Sequence, residues 1–289
     1  MKQKALFPFL SAILIFGTVG IFRKFMPFPS GMIAAARGFV GALVIFAFLL
    51  VIGHPFSFKA VKERLGLLCL SGMLMGFNWM LLFESYNHTS VAAATLCYYM
   101  APVIVIALSP FIFKEHLGTK KILCVFAAVF GMVLVSGVLE TGLAFSELKG
   151  VILALGAAFL YAFVVITNKK LSKVPAMERT AIQLLSAAIA VLPYSVLTET
   201  VAKEQFTFGA VLVLITVGIL HTGVAYVLYF ESIGKLKAQT AAIFSYLDPV
   251  AAIILSAAVL KEKIGAAEII GTVLILGSAV LSEISTEKG

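Results

Sequence analysis

Along the chain, apolar residues gather into blocks of about 20 residues, the length a helix needs to cross a bilayer core. Short polar or Gly/Pro-containing connections separate them. The blocks predict helices over 5–22, 30–52, 65–83, 91–113 and 122–139, then 150–167, 180–197, 208–230, 238–260 and 267–282. Inside hydrocarbon every backbone N–H and C=O must find a partner within the protein, so only helices and closed barrels cross it. A barrel would show alternating segments of about 10 residues; Val103–Phe113 and Val250–Leu260 run on without alternation. The expected fold is an all-α integral membrane protein of ten transmembrane helices. Lys2 and Lys4 before the first block resemble the start of a signal peptide. The apolar run Ala5–Phe22 is too long for one, and Arg23-Lys24 stand where small residues would mark cleavage, so a retained first helix is expected.

Composition agrees with the pattern. Hydrophobic residues make up 61% of the 289 and charged residues 12%, with a mean hydropathy of +1.08; soluble domains carry about 25% charged residues. The net charge of +8 sits in the connections, with no basic domain that would suit nucleic acid. Its distribution sets orientation instead, because cytoplasmic connections collect Lys and Arg. With the N-terminus inside, fifteen basic residues fall on the inner side and six on the outer, with Arg37 within the second span. Both termini are therefore expected in the cytoplasm, with the chain in the cell (plasma or inner) membrane. No connection is long enough for a soluble domain, and the absence of a nucleotide-binding motif excludes ATP hydrolysis by this chain. Cys69, Cys97 and Cys124 lie inside apolar blocks and read as packing residues.

The second half of the chain repeats the first. At an offset of 147 residues, Leu81-Leu82-Phe83-Glu84-Ser85 aligns with Leu228-Tyr229-Phe230-Glu231-Ser232, Tyr99 with Tyr246, and Pro102-Val103 with Pro249-Val250. Lys114-Glu115 falls on Lys261-Glu262 and Gly118 on Gly265. From 81 to 118, 14 of 38 positions are identical without a gap. Apolar composition alone would match Leu to Leu; it would not match Glu, Pro and Lys-Glu together. At an offset of 146, Arg37 falls on Gln183. The units are residues 1–140 and 147–285, each of five helices. Five is odd, so the second copy is inverted in the membrane. Inverted repeats recur in secondary transporters, whose site lies near the midplane where the copies meet.

These residues resemble a known family. Two five-helix repeats, each with a Pro in its fourth helix and a Lys-Glu and Gly beyond it, look like the EamA type of the drug/metabolite transporter superfamily. The first copy carries Tyr98-Tyr99-Met100-Ala101-Pro102-Val103 and Lys114-Glu115-His116-Leu117-Gly118; the second carries Ser245-Tyr246-Leu247-Asp248-Pro249-Val250 and Lys261-Glu262-Lys263-Ile264-Gly265. Arg37 fits as well. The resemblance spans essentially the whole chain. It implies a carrier of amino acids, nucleotide-related metabolites, amines or drugs, commonly outward and often ion-coupled. The sequence departs from it at Phe16-Gly17, where many relatives show Trp-Gly. It is also asymmetric: Ala101 in the first copy stands opposite Asp248 in the second.

Asp248 is the most informative candidate. A carboxylate within a span costs roughly 2.5–3.5 kcal/mol and is usually kept for function. Pro249 beside it frees the Ser245 carbonyl. Thr240, Phe244 and Asp248 share one helix face at i, i+4, i+8. A proton or cation site and a packing hydrogen bond are both open for it. Arg37 could bind a substrate carboxylate, reach the outer interface or pair with an acidic side chain. His221 could shuttle protons or hold an interhelical hydrogen bond. Glu84 and Glu231, at the ends of the third and eighth spans, read as local pairing residues. Trp79, Tyr226, Tyr98, Tyr99, Ser245, Tyr246, Asn78 and Tyr161 would suit an amine or a ring-bearing metabolite if they line the cleft with Asp248. Pro102 and Pro249 mark the helix breaks.

The expected function is secondary transport of a small polar metabolite (an amino acid, an amine or a related compound) by alternating access, in the direction of export. The alternative is efflux of cationic or aromatic drugs. An intramembrane enzyme would need a motif that the sequence lacks, and a channel a continuous polar lining. The expected partners are the bilayer, a small-molecule substrate and a coupling proton or ion, in a monomer or homodimer. No cofactor, metal or nucleic acid is expected.

Overall fold

A computed structural model describes residues 2–113, 118–135, 145–233, 235, 244–245 and 247–286. Every regular element among them is helical. In chain order they are α1 (Lys2–Lys24), α2 (Ser30–Val51), α3 (Phe58–Glu63), α4 (Leu65–Ser85), α5 (Val91–Tyr98), α6 (Ala101–Phe113) and α7 (Thr119–Val135). Then follow α8 (Phe145–Lys170), α9 (Ala176–Thr198), α10 (Phe208–Thr216), a π-helical stretch Val217–Val224, α11 (Ala225–Ile233), α12 (Leu247–Val259) and α13 (Ala266–Thr286). Among the described residues, seven helical segments are long and apolar enough to cross a membrane. Ile122–Val135, Leu247–Val259 and Ala266–Ser278 are apolar but shorter.

Two spans read as continuous in the sequence are not. The block at 91–113 stops at Tyr98 and resumes at Ala101. Pro102 has no N–H, and its ring crowds the carbonyl four residues earlier, that of Tyr98. The chain closes the gap with a tighter turn, Met100 N–H donating to the Cys97 carbonyl at 3.1 Å. The block at 208–230 unwinds into the π-helical stretch, the loosened winding found where a helix accommodates an extra residue, often at functional places. The short α3 went unread because Lys59, Lys62 and Glu63 make it look like a charged connection. Residues 136–139 of the fifth span, and 238–243 and 246 of the ninth, lie outside the described residues.

Close approach is built on small residues, as in other membrane bundles. A methyl group at Gly38 would lie 2.9 Å from the Leu184 carbonyl of α9, and one at Gly76 would lie 2.8 Å from that of Ala187. Helix α9 thus packs on α2 and α4 together. Further contacts interleave the two halves of the chain. Helix α1 packs on α11 and α12, α2 on the π-helical stretch, α8 on α4, α5 and α6, and α7 on α13.

Carboxylates fasten the helix ends. Glu199 accepts from the backbone N–H groups of Gly31 and Met32 at 2.7 and 2.9 Å, supplying partners the first turn of α2 otherwise lacks. Glu262 does the same for α5 through Val91 and Ala92, at 3.0 and 3.4 Å. At the other end of α2, the buried Glu178 of α9 accepts from Ser57 N–H and lies 3.6 Å from His54. The pair α2–α9 is therefore tied at both ends.

Candidate functional site

The break between α5 and α6 turns Tyr99 toward α12. Its hydroxyl donates a hydrogen bond to a carboxylate oxygen of Asp248, in the first turn of that helix and just before Pro249. The proline-marked break of the first half thus meets the first turn of α12 in the second half at one polar contact. Helix α1 closes the third side. A methyl group at Gly17 would lie 2.7 Å from the Asp248 carbonyl and 2.9 Å from Ala251 Cβ, so only a glycine lets α1 come this near.

Aromatic rings surround the pair. Tyr98 lies 6.3 Å from Tyr99 and 5.5 Å from Tyr161, ring centre to ring centre. Its hydroxyl donates to the Asn78 side chain at 3.4 Å, and Asn78 is fixed by its own amide donating to the Ala157 carbonyl. Between α1 and α11, Phe16 contacts Tyr226 at 5.3 Å and Tyr229 at 6.2 Å, and Tyr226 stacks on Phe230 at 5.9 Å. Tyr161 is 37% exposed. One carboxylate, several phenols and the faces of their rings form a surface suited to a cation.

Of the residues singled out in the sequence, the fold assembles Tyr98, Tyr99, Asn78, Tyr161, Tyr226 and Asp248, with the half-buried Ser245 one turn before Asp248. Tyr246 and Thr240 lie outside the described residues. Arg37 is a neighbour with other duties, and no acidic side chain among the described residues pairs with it. Its guanidinium lies 4.0 Å above the centre of the Trp79 ring, and its Nε donates to Thr222 Oγ at 3.0 Å. Desolvated stacking of this kind is worth about 2 kcal/mol and lets Arg stay charged in an apolar bundle. Trp79 is thereby buried under Arg37. His221, fully buried in the π-helical stretch, shares a 2.7 Å hydrogen bond with Thr18 Oγ and meets the Phe22 ring edge-on. Glu84 binds Ser30, Asn87 and His88, and Glu231 pairs with Lys235 at 3.4 Å.

Sequence reasoning missed Phe16 and Tyr229 as parts of the aromatic cluster. Tyr229 falls opposite Leu82 in the repeat, so self-comparison gives no signal; its i+3 spacing from Tyr226 would have. Phe16 was legible only as a departure from the expected Trp.

The EamA-like transporter family matches residues 3–137 and, a second time, residues 148–283. The chain belongs to that family. The uncharacterized transporter YxxF of Bacillus subtilis (strain 168) is 27% identical over 282 residues, covering 97% of this chain and 90% of its own. YoaV of the same organism, also named an uncharacterized transporter, is 25% identical over 276 residues, with 94% of each chain covered. The protein RarD of Escherichia coli (strain K12) is 28% identical over 207 residues, covering 71% of this chain and 67% of its own. A solved crystal structure aligns over 100% of this chain and 99% of its own with a TM-score of 0.69 at 20% identity, a likeness of fold. The EamA-like chain described here is a multi-pass membrane transporter rather than an enzyme.

Proposed function

We propose that this protein is a secondary active transporter of a small polar metabolite (an amino acid, an amine or a related compound), working as an exporter by alternating access. The observation that carries the reading is the Tyr99–Asp248 contact, which joins the broken helix of the first half to the start of α12 in the second half among aromatic rings. A midplane site on discontinuous helices is what such carriers use.

The architecture in this reading is ten spans arranged as two inverted repeats, residues 1–140 and 147–285. Support comes from the paired family match at 3–137 and 148–283 and from the contacts among connections. Glu262 meets Val91, Glu199 meets Gly31, Gln205 meets the Pro27 carbonyl, and a methyl group at Gly150 would touch Thr89. In the ten-span reading those connections are the odd-numbered ones, which that reading puts on one face. Glu178 with His54 and Ser57 joins two even-numbered connections. The Lys/Arg bias makes the even face cytoplasmic, with both termini there, in the cell membrane. Closure on the odd face corresponds to a carrier shut toward the outside.

The test is exchange in proteoliposomes holding purified protein, screened across labelled amino acids and amines with and without a pH gradient. Saturable exchange of one class above protein-free vesicles supports the reading. Ion conduction without saturation would replace it with a channel.

A further inference from the structure

We infer that Lys261 is a positioning residue: its strained backbone, rather than its charge, delivers Glu262 to the start of α5 and sets how readily that contact opens. The inference rests on the transport reading above and concerns the balance of its closed state.

Glu262 supplies what the first turn of α5 lacks. The Ser90 hydroxyl accepts from Ala93 N–H at 3.0 Å, which leaves the N–H groups of Val91 and Ala92 without partners inside the helix. The Glu262 carboxylate takes both, at 3.0 and 3.4 Å, although it stands 171 residues after Val91. A carboxylate at a helix start is favourable on charge as well as on hydrogen bonding. Taken alone, this contact makes a closed arrangement that is hard to leave.

The turn that delivers Glu262 works against it. Helix α12 ends at Val259, and Leu260 N–H still donates to the Ser256 carbonyl at 3.0 Å. The same carbonyl accepts from Glu262 N–H at 3.3 Å, so the chain loops back within two residues. Lys261 makes that loop with a φ of 59°, and among the described residues no other non-glycine residue has a positive φ. Glycine takes this left-handed conformation freely, whereas any Cβ there crowds its own backbone. The nearest glycine, Gly265, comes after the turn. The Lys261 side chain is exposed, so what the residue supplies to the contact is the turn. When Glu262 leaves α5, Lys261 can return to negative φ. Capping therefore favours the closed arrangement and strain favours the open one. A left-handed residue other than glycine shifts such a balance by about 5- to 30-fold.

Modification of Ala92→Cys by a charged maleimide tests this, in purified protein with Cys69, Cys97 and Cys124 changed to alanine. Ala92 is buried and its N–H is held by Glu262, so the rate of modification reads the open population. Lys261→Gly keeps the turn and removes the strain; it should slow modification about 5- to 30-fold and raise the melting temperature. Lys261→Ala keeps the strain and removes the charge; it should react at the rate seen with Lys261. Lys261→Val, costlier still in a left-handed turn, should react faster. Equal rates in the Gly and Ala variants overturn the inference: a shared change assigns the role to the charge, and no change makes the turn a fixed helix end. A higher melting temperature in Lys261→Gly without slower modification overturns it too, because a purely structural turn gives that result. So does an absence of modification in every variant, since the start of α5 would then stay covered. Proteoliposomes separate this from the broader reading. Rates graded by residue 261 with no exchange of labelled amino acids or amines would leave the strained turn and remove transport. Exchange with rates indifferent to residue 261 would leave a transporter and remove the role of Lys261.

Discussion

The Tyr99 hydroxyl donates to the Asp248 carboxylate across 149 residues of sequence, and it does so at the break between α5 and α6. Tyr99 stands in the turn forced by Pro102, and Asp248 in the first turn of α12, just before Pro249. Irregular backbone at membrane depth is tolerated only where it is buried in protein or lines a cavity. The polar contact and the break at Tyr99 therefore have one explanation.

Gly17 should tolerate no side chain. Alanine there would drive its methyl group into the Asp248 carbonyl and Ala251, and such overpacking costs about 1–3 kcal/mol. Gly17→Ala should lower the unfolding temperature in detergent and cut exchange, and Gly17→Leu should do more. Wild-type exchange and stability in Gly17→Leu would mean that α1 does not seat on α12 as described.

Arg37 should matter to folding more than to substrate. Gln at this position loses the stacking on Trp79, about 2 kcal/mol for a desolvated pair, so Arg37→Gln should melt earlier. Trp79, the only tryptophan, should report the change in its fluorescence. The KM of folded variant should stay within about 2-fold of wild type, the range expected when no substrate contact is lost. A normal melting temperature with a KM raised about 10-fold would place Arg37 on a substrate carboxylate.

How much of this could be read from sequence differs by feature. The helical class follows from run length, since hydrocarbon leaves few choices. Asp248 was visible because a lone carboxylate in an apolar block is costly. Its partner was not: Tyr99 and Tyr98 look alike in sequence, and only the turn forced by Pro102 decides which one faces α12. Arg37 was expected to find an acid, a substrate or the interface, and it stacks on Trp79 instead. Nothing in the spacing of 37 and 79 brings them together; that takes the packing of α2, α4 and α9. The π-helical stretch has no propensity signature in the sequence. It coincides with the close fit of Gly218 and Gly223 against Val40 and Val44 of α2.

The Glu262 contact with the start of α5 should open and close during turnover. Cysteines replacing Val91 and Glu262, in a background with Cys69, Cys97 and Cys124 changed to alanine, can be joined by a short cleavable thiol cross-linker. The cross-linked protein should stop exchanging and recover on cleavage. Full-rate exchange while cross-linked would make this contact a permanent anchor rather than a gate.

Topology follows from the ten-span reading. Reporters fused after Ala60, Gly118 and Ser172 should report the cytoplasm, and reporters after Asn87 and Phe145 the outside. A reporter at the C-terminus on the outside would contradict an even span count and the inverted repeat with it.

The most direct test of the account is pH-gradient-driven uptake by Asp248→Asn in proteoliposomes. Asparagine keeps the volume and can still accept from Tyr99, so the variant should fold and melt near wild type. It cannot take up or release a proton. Wild-type uptake should rise when the interior is acid, because protons leaving through Asp248 draw substrate in. The asparagine variant should lose that response, and its uptake should fall by about 10-fold or more, as expected when a charge-assisted contact to substrate is removed. Unchanged rate and unchanged pH dependence in folded Asp248→Asn would contradict the central claim and reduce Asp248 to a packing residue.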